Sequence, residues 1–516
     1  MQIKKLLAPV VLPLTVTALF GLAACGGDSS DDSNPVNPPD QVTPADTSSQ
    51  SNPTTPADTS GQSNPGTNPG TQTDPGTQTN PVVSSSSQAA PPPVSSAVTN
   101  PPPASSAAAT TPESGTLAAL ATTANAAKPV ELYASWKSWH FVTLEEELTY
   151  YPDLADDVAY VFTDAFKPAG RVIWQTGTQC KNAKSTKPAM TSRACTVSEG
   201  TGYGMVLSYF NNDKETFNRI WNYSRAFRDY LSTSTSKMYL TPWITYSFMD
   251  KYSENSSATD ADLDIAASLV LMYYKTQEQA YLADALNIMG AIWDKEVNPT
   301  TFLIYSGDTK MWKGDNPTYN LSYFSPVALR LFAKVDTNPA HEWNKVLDAM
   351  YTYMKTVQDK GTGVFPDWSD GSGVAVDPNN GSAKNTYWTF NKEAVRIPWR
   401  IAWDYYWFQD ERDLAILTKL NKFISDKANG NPGADALAIN YSWDPSKNDA
   451  SGTVVSPQWL AAWCATGIGT NADWLNKCTE LVNTKTMSNS GNSYFPDILL
   501  GLYSTLLNGK YVKPAI

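Results

Sequence analysis

The chain has 516 residues, a net charge of -12, two histidines and 17 tryptophans. A nucleic-acid-binding surface needs clustered lysine and arginine, so the acidic balance argues against one. Two histidines exclude a zinc site built on three, and they leave few candidates for a Ser-His-Asp triad. Every tryptophan lies at Trp136 or later. We therefore expect one large folded domain, over residues 128–516.

The first 25 residues predict export. A short basic start precedes an apolar run, which two prolines interrupt before it could span a membrane. Residues 22–25, Leu-Ala-Ala-Cys, resemble a bacterial lipobox. The resemblance implies cleavage before Cys25 and lipidation of that residue. Gly26 follows, rather than the aspartate that is associated with retention in the inner membrane. We therefore expect an outer-membrane lipoprotein or a cell-surface or extracellular protein. An ordinary signal peptide with a cysteine at its cleavage site is the alternative.

Residues 26–127 are predicted to be a disordered tether. They consist mainly of Pro, Ser, Thr, Gly, Asn, Gln and Ala, and the segment Thr43–Pro53 recurs almost unchanged at residues 55–65. Such a composition has too few apolar groups to offset the entropy lost on ordering. A flexible coil of this length would span roughly 50–60 Å. The tether would hold the folded domain away from a membrane.

Four cysteines remain after Cys25. An exported protein can form disulfides, and each pair of cysteines is close in sequence. We predict the pairs Cys180–Cys195 and Cys464–Cys478, although four cysteines allow three pairings. No Cys-x-x-Cys spacing supports a metal site instead.

After residue 128 the recurrent pattern is the amphipathic helix, and alternating strand patterns are scarce. Short strand pieces are predicted at Val364–Phe365 and Ile304–Tyr305. About ten to thirteen helices would suit a closed double ring of antiparallel pairs, but pattern alone also allows an α-solenoid. The clearest predicted helices are Asp262–Tyr274, Gln279–Glu296, Pro326–Val335, Glu342–Lys355, Arg400–Phe408, Asp413–Ser425 and Ile498–Leu507.

The first chemical motif is Val197–Met205, in which one acid, Glu199, lies among three glycines and an aromatic residue. Glycines let backbone or a ligand approach the carboxyl closely. Neighbouring aromatics would desolvate it and favour the protonated form, which a general acid requires. The alternative is a glycine-rich turn opening a helix, with Glu199 only complementing the helix dipole.

The second motif, Ala258–Ala266, contains three aspartates within five residues. Helix capping and the helix dipole would explain some of them. If they are partly buried, however, their mutual repulsion would raise at least one carboxyl pKa.

The third motif, Phe390–Arg400, places Glu393 and Arg396 three residues apart, where they would face one another on a helical turn. A surface ion pair is the alternative. Four aromatic neighbours favour a cleft lining, because indole faces stack on sugar rings. These are Tyr387, Trp388, Trp399 and Trp403.

These motifs, together with Asn320–Pro326, occur in the order seen in glycoside hydrolase family 8, and the chain resembles that family over most of residues 130–510. The family contains endoglucanases, lichenases, xylanases and chitosanases. The resemblance implies an all-α fold, an (α/α)6 barrel with a long groove across one end.

The resemblance also implies residue roles. Glu199 matches the general acid, and Asp260 matches an aspartate that hydrogen-bonds the sugar at the cleavage point and helps to hold it distorted. The remaining candidates are expected to contact the substrate as polar or stacking groups; they are Tyr203, Trp243, Trp312, Tyr323, Arg396 and Trp399.

Glu393 departs from the family pattern, since many members carry aspartate there as the general base. The extra methylene moves the carboxylate by about 1.5 Å. Inverting hydrolysis accepts roughly 6.5–9.5 Å between the two carboxyls, so we keep Glu393 as the base. Some members take the base from a preceding loop, which makes Asp367, Asp370 and Asp377 the reserve candidates.

We therefore expect an inverting endo-β-1,4-glycanase that hydrolyses cellulose or mixed-linkage β-glucan. Chitosan and xylan are the alternative substrates within the family. An inactive, surface-tethered glycan-binding protein is the alternative of a different class. We expect no metal and no organic cofactor, a polysaccharide as the partner, no nucleic acid, a membrane contact only through the lipid anchor, and a monomer.

Overall fold

The structure is a computed structural model that describes residues 117–152, 155–174, 195–245, 256–378, 387–433, 440–449, 456–490 and 493–516. The predicted signal, Cys25 and nearly all of the predicted tether lie outside these residues. Residues 117–126 already pack on the domain, because the backbone N–H of Ala118 donates to the carbonyl of Tyr406 at 3.1 Å. The packed chain thus begins before the predicted boundary at residue 128. None of the described helices has the length and apolar character needed to cross a membrane.

The described residues form fifteen α-helices, and we number them in chain order. They are α1 Ala127–His140, α2 Leu144–Tyr150, α3 Ala155–Val161, α4 Ser198–Phe210, α5 Lys214–Leu231, α6 Thr259–Thr276, α7 Gln279–Glu296, α8 Lys310–Lys313, α9 Pro326–Val335, α10 Trp343–Lys360, α11 Ile397–Phe408, α12 Glu411–Lys427, α13 Pro457–Ala465, α14 Ala472–Asn483 and α15 Tyr494–Leu507.

Short antiparallel strand pairs connect some of these helices. In the described residues the pairs are β1 (Phe141–Thr143) with β2 (Gly170–Val172), β3 (Thr196–Val197) with β4 (Ile244–Thr245), β5 (Thr318–Tyr319) with β6 (Ser369–Asp370), and β7 (Thr389–Phe390) with β8 (Tyr441–Ser442).

Twelve helices form two concentric rings. Consecutive helices pack as pairs: α4 with α5, α6 with α7, α9 with α10, α11 with α12, and α13 with α14. The sixth pair joins the last helix, α15, to the first, α1. The first-named members also contact one another in the cyclic order α4, α6, α9, α11, α13, α15 and back to α4. The fold is the predicted (α/α)6 barrel, and closure of the inner ring excludes the solenoid.

Burial separates the two rings. All thirteen residues of α4 are buried, and α6 is buried continuously from Thr259 to Met272. A helix that is covered on all sides must be apolar or internally paired around its whole circumference. The outer helices α5, α10, α12 and α14 bury only one face, which gives them the amphipathic pattern that sequence reading detects most easily.

All seven predicted helices exist, and α7 and α9 have the predicted bounds. The helix predicted from Ile498 begins one turn earlier, at Tyr494. The strand prediction for Val364–Phe365 is wrong, because both side chains are fully buried in irregular chain that follows α10. Ile304 forms only an isolated bridge to Val297.

The glycines of the first motif lie inside α4 and allow close helix packing. A Cβ at Gly202 would lie 2.9 Å from the Cβ of Asp264 and 3.3 Å from the carbonyl oxygen of Ala261 on α6. A Cβ at Gly204 would lie 2.8 Å from Val172. Part of the glycine pattern thus reflects the short distance between α4 and its neighbours rather than approach of a ligand.

One predicted disulfide is confirmed. Cys464 of α13 is bonded to Cys478 of α14, which joins the two helices of one pair. Cys195 is disulfide-bonded, but its predicted partner, Cys180, lies outside the described residues.

A buried acid pair lies between α6 and α7. Asp262 accepts the backbone N–H of Thr241 at 2.8 Å, and Glu296 accepts the hydroxyl of Ser257 at 2.6 Å. Burial and the neighbouring carboxyl raise the pKa of Asp262 well above its ordinary value. Burial raises the pKa of Glu296 to about 8. Asp262 therefore connects the start of α6 to the backbone at Thr241.

Gly202→Ala tests the packing role of the motif glycines. The new methyl group would meet the Cβ of Asp264 and the backbone of Ala261, neither of which can move aside without a shift of α6. We therefore expect a loss of about 1–3 kcal/mol in the free energy of unfolding. Gly290→Ala in α7 is the matched control, since nothing lies within 4 Å of its Cβ position. The control should gain about 0.5–1 kcal/mol. Equal effects of the two substitutions in denaturant titrations would contradict the packing role.

Candidate active site

Five of the predicted site residues come together at one end of the inner ring. Each lies at or just before the N-terminus of an inner helix: Glu199 in α4, Asp260 in α6, Tyr323 before α9, and Glu393 and Arg396 before α11. Because every inner helix pairs with an antiparallel outer one, the inner helices run in the same direction. Their N-termini therefore converge, and their dipoles favour negative charge there.

The guanidinium of Arg396 binds three carboxyl groups. Its Nη1 donates to Oε2 of Glu199 and, at 3.0 Å, to Oδ2 of Asp260. Its Nη2 donates to Oε2 of Glu393. Arg396 is fully buried, and each of the three acids is at most 3% exposed. The first and third motifs, almost 200 residues apart in sequence, thus meet at one positive charge.

Glu199 is held at both carboxyl oxygens. Tyr494 of α15 donates its phenol O–H to Oε1 at 2.9 Å, while Arg396 binds Oε2. Burial raises the pKa of Glu199 to about 8, and the positive charge of Arg396 opposes this shift without cancelling it. At neutral pH this carboxyl keeps its proton, as a general acid must.

Asp260 has a lower pKa than Glu199. Burial raises the pKa of Asp260 to about 6, while Arg396 and Arg400 both oppose the shift. Asp260 is therefore mostly ionised at neutral pH. One helical turn further on, Asp264 binds Arg400 through two hydrogen bonds of 2.7 and 2.9 Å. Two parallel Asp–Arg contacts thus join α6 to α11 across the centre of the barrel.

Glu393 accepts two donors on the same oxygen. The side-chain amide of Asn320 donates to Oε2 at 2.6 Å, and Arg396 donates to the same atom. Arg396 therefore lies between Glu393 and Glu199. Asn320 belongs to a motif that carried the family resemblance, but sequence reasoning gave the residue no role of its own.

The reserve aspartates occupy different environments. Asp367 is buried, and its Oδ1 accepts the backbone N–H groups of Asn391, Glu393 and Ala394 at 2.9–3.1 Å. Burial and the charge of Glu393 raise the pKa of Asp367 to about 8. Asp367 thus anchors the backbone that carries Glu393. Asp370 accepts hydrogen bonds from Ser372 in its own turn, and Asp377 lies further along the same segment.

Two of the residues predicted to contact the substrate, Tyr203 and Trp399, pack against each other in the structure. Trp399 is fully buried, and its indole N–H donates to the hydroxyl of Tyr511 at 2.9 Å. Tyr203 is also fully buried and contacts Trp399 edge-to-face, one turn of α4 below Glu199. Both rings are as buried as Arg396, and their contact with a substrate stays a prediction. The position of each residue around its helix axis turns both rings toward the interior. The composition around a motif does not reveal that position.

Two of the other predicted aromatic contacts, Trp243 and Trp312, are partly exposed. Trp312 is partly exposed and stacks on Trp368, with ring centroids 5.3 Å apart, and Trp368 contacts Tyr323 edge-on. Arg396 lies over the ring of Tyr323 at 5.3 Å. Trp243 is partly exposed, and its carbonyl accepts the backbone N–H of Ser198 next to Glu199. Substrate contacts of Trp243, Trp312 and Tyr323 stay predictions.

Tyr494 is the main residue that sequence reasoning missed. It opens α15, whose first turn contains Pro496, and that proline interrupts the helical pattern by which the helix was predicted. No local signal marks this tyrosine, because its partner Glu199 lies 295 residues earlier in the chain.

Comparison with solved structures supports the fold. The apo structure of beta-1,3-1,4-glucanase from Paenibacillus sp. X4 aligns with a TM-score of 0.59 at 22% identity, covering 77% of this chain and 97% of that one. Rex8A from Paenibacillus barcinonensis, complexed with xylose, aligns with a TM-score of 0.55 at 16% identity, covering 74% and 99%. At such identities the likeness shows the fold alone.

Sequence comparison extends this result. Endoglucanase C from Ruminiclostridium cellulolyticum is 30% identical over 312 residues, which are 59% of this chain and 63% of that protein. The chain thus spans less than two thirds of that relative. The family model for glycosyl hydrolases family 8 matches residues 173–502, which is more than half of the chain and includes every residue bound to Arg396. The chain belongs to family 8 of the glycosyl hydrolases.

Proposed function

We propose that this protein is an inverting endo-β-1,4-glycanase that hydrolyses cellulose or mixed-linkage β-glucan. The observation that carries the proposal is the binding of Glu199, Asp260 and Glu393 by one buried guanidinium. An inverting glycosidase needs a protonated acid and an ionised base on opposite sides of one sugar ring.

Glu199 is the general acid. Its raised pKa keeps a proton available at neutral pH, and that proton passes to the glycosidic oxygen of the leaving sugar. Arg396 and Tyr494 both donate to this carboxyl, so they stabilise the carboxylate that remains after proton transfer.

Glu393 is the general base, and it takes a proton from the water that attacks the opposite face of the sugar. Asn320 and Arg396 both donate to Oε2 of Glu393, which fixes the orientation of the carboxylate. The backbone at Glu393 is held by Asp367. Such support accommodates the longer glutamate side chain where many family members carry aspartate.

Asp260 carries the third role. Its carboxylate is ionised at neutral pH and would hydrogen-bond the sugar at the cleavage point, which stabilises the distorted ring and the positive charge that develops on it. The reaction as proposed needs no metal and no organic cofactor.

The choice of substrate rests on the relatives and on the first motif. One sequence relative is named endoglucanase C, and one structural neighbour is named a beta-1,3-1,4-glucanase. The motif Ser-Glu-Gly-Thr-Gly-Tyr-Gly is closer to glucan- and chitosan-cleaving members than to xylan-cleaving ones. Chitosan and xylan remain the alternative substrates, and glycan binding without turnover remains the alternative function.

We also propose that the catalytic domain acts as a monomer on the end of a lipid-anchored tether outside the cytoplasm. The support is the Leu-Ala-Ala-Cys segment and the repetitive, apolar-poor composition of residues 26–127.

The acid role predicts the activity and its pH dependence. The wild-type protein should release reducing sugar from carboxymethylcellulose or lichenan, with inversion at the anomeric carbon in proton NMR. Activity should fall as pH rises through about 8, because Glu199 then loses its proton. Glu199→Gln should lower kcat by about 100-fold or more. Retention of configuration would contradict an inverting mechanism, and binding without turnover on glucan, chitosan and xylan would favour the binding protein.

The choice of base can be tested with two amide variants. Glu393→Gln removes the carboxylate and should lower kcat by about 100-fold or more. Asp367→Asn removes the ionisable carboxyl but keeps an oxygen that can accept the same three backbone N–H groups, so it should keep most of the activity. The opposite result, an active Glu393→Gln and an inactive Asp367→Asn, would make Asp367 the base.

The anchor can be tested in a Gram-negative expression host. The full chain should incorporate radiolabelled fatty acid and sediment with membranes, and Cys25→Ala should lose both properties because the lipidated thiol is gone. A Cys25→Ala protein that keeps the label would place the lipid elsewhere or contradict the lipobox assignment.

A further inference from the structure

Tyr494 contacts Glu199 from an element that the catalytic motifs do not include. Its hydroxyl donates to Oε1 at 2.9 Å, while Arg396 binds the other carboxyl oxygen. The two donors come from α15 and from the turn before α11. Together they fix both oxygens and therefore the plane of the carboxyl group.

Gly200 provides the room for this contact. A Cβ at residue 200 would lie 3.1 Å from the hydroxyl oxygen and 3.2 Å from Cε2 of Tyr494, and 3.2 Å from Cγ1 of Val172. These distances are tighter than ordinary van der Waals contacts. The glycine that follows the acid thus allows the tyrosine ring to pack against α4 beside the carboxyl.

The start of α15 is itself firmly held. Asp497, three residues after Tyr494, accepts His140 Nε2 at 2.9 Å and the hydroxyl of Ser493 at 2.6 Å. It also accepts the backbone N–H groups of Ser488 and Asn489 at 2.8 and 3.1 Å. Because this cluster is buried and joins α15 to the end of α1, the ring of Tyr494 projects from a fixed base.

We propose that Tyr494 is a positioning residue for the general acid, and that Gly200 is the space this tyrosine requires. The inference rests on the proposed role of Glu199. The phenol O–H holds the carboxyl in one orientation and stabilises the carboxylate after its proton has moved to the glycosidic oxygen.

The groups around Glu199 determine the direction in which its pKa should change when the hydroxyl of Tyr494 is removed. Arg396 and the hydrogen bond from Tyr494 lower its pKa, whereas burial, Asp260 and Glu393 raise it. Removing the phenol hydroxyl removes a lowering contribution. The pKa of Glu199 should therefore rise, and the alkaline limb of the pH–activity profile should move to higher pH.

Tyr494→Phe is the direct test. We expect kcat on lichenan to fall by about tenfold or more, because the acid loses its fixed orientation. KM should stay within about twofold, since the proposed role of the hydroxyl is to hold Glu199 rather than to bind substrate. The alkaline limb should move up by about one pH unit. Wild-type kcat together with an unmoved limb would overturn the proposal.

Tyr133→Phe is the matched control. Tyr133 is also buried, and its hydroxyl bonds an acid, Asp213, at 3.0 Å and Ser208 near the far end of α4 at 3.2 Å. Loss of this hydroxyl should leave kcat and the pH limb unchanged. An equal fall of kcat in both variants would indicate general destabilisation and would also overturn the proposal.

Gly200→Ala tests the space requirement. The methyl group should displace the tyrosine and change kcat and the pH limb in the same direction as Tyr494→Phe. Combined with Tyr494→Phe it should cost little more than the larger single effect, because both substitutions remove one contact. Fully additive effects would show that Gly200 acts independently of Tyr494 and would overturn the proposed role of Gly200. If Gly200→Ala fails to fold, the comparison of Tyr494→Phe with Tyr133→Phe still tests the positioning role of Tyr494.

A readout without turnover separates this inference from the proposed function. Infrared titration of the Glu199 carboxyl, assigned by difference from Glu199→Gln, reports its pKa directly. A higher pKa in Tyr494→Phe than in wild type is expected even if the wild type cleaves none of the polysaccharides. An unchanged pKa would overturn the positioning role whatever the activity.

Discussion

The contact on which the site depends is that of Arg396 with three buried carboxyl groups. Three ionised acids around one guanidinium would leave an uncompensated buried charge, which is expensive in a medium of low dielectric constant. A proton on one acid lowers this cost, and burial raises the pKa of Glu199 to about 8, which favours its protonated form at neutral pH. The protonated state that the proposed general acid needs is thus favoured by the charge balance of the site.

The barrel makes this arrangement possible. Six parallel inner helices bring their N-termini to one end, and the acids lie in or beside the first turns of those helices. Arg400 and Asp264 repeat the Arg–Asp contact one turn deeper. The second contact fixes α6 relative to α11, and so it also fixes the distance between Asp260 and Arg396.

Sequence reasoning singled out Glu199, Asp260, Glu393 and Arg396, because each stands in a short motif of unusual composition, and the structure brings their side chains into contact. It could also predict the helices, since the outer ones have amphipathic periodicity and the family resemblance supplied the closed ring. It could not predict partners that meet only after folding. Tyr494 is distant in sequence from Glu199, and nothing near it marks a contact with the proposed acid.

The glycines and aromatics show a second limit. A glycine beside a catalytic acid suggests access for a ligand, yet Gly202 admits a neighbouring helix and Gly200 admits a tyrosine ring. Trp399 lies beside a motif and suggests a sugar platform, but it points into the barrel. When an inner helix is buried on all sides, the residues beside a motif can belong to the core of the barrel instead of lining a cleft.

The acid pair between α6 and α7 has a different consequence. Burial raises the pKa of Glu296 from 4.5 to about 8, and that of Asp262 rises as well. Between pH 4.5 and about 8, Glu296 keeps a proton in the folded chain that it has lost in the unfolded chain. The contribution of this pair to stability therefore falls as pH rises. Neither carboxyl contacts Arg396 in the described structure. Glu199 and Asp367, whose pKa values are also raised to about 8, make the same kind of contribution. The acid pair therefore adds to the alkaline sensitivity of the fold from outside the cluster around Arg396, and substitution of Glu296 should reduce that sensitivity without removing a group bound to Arg396.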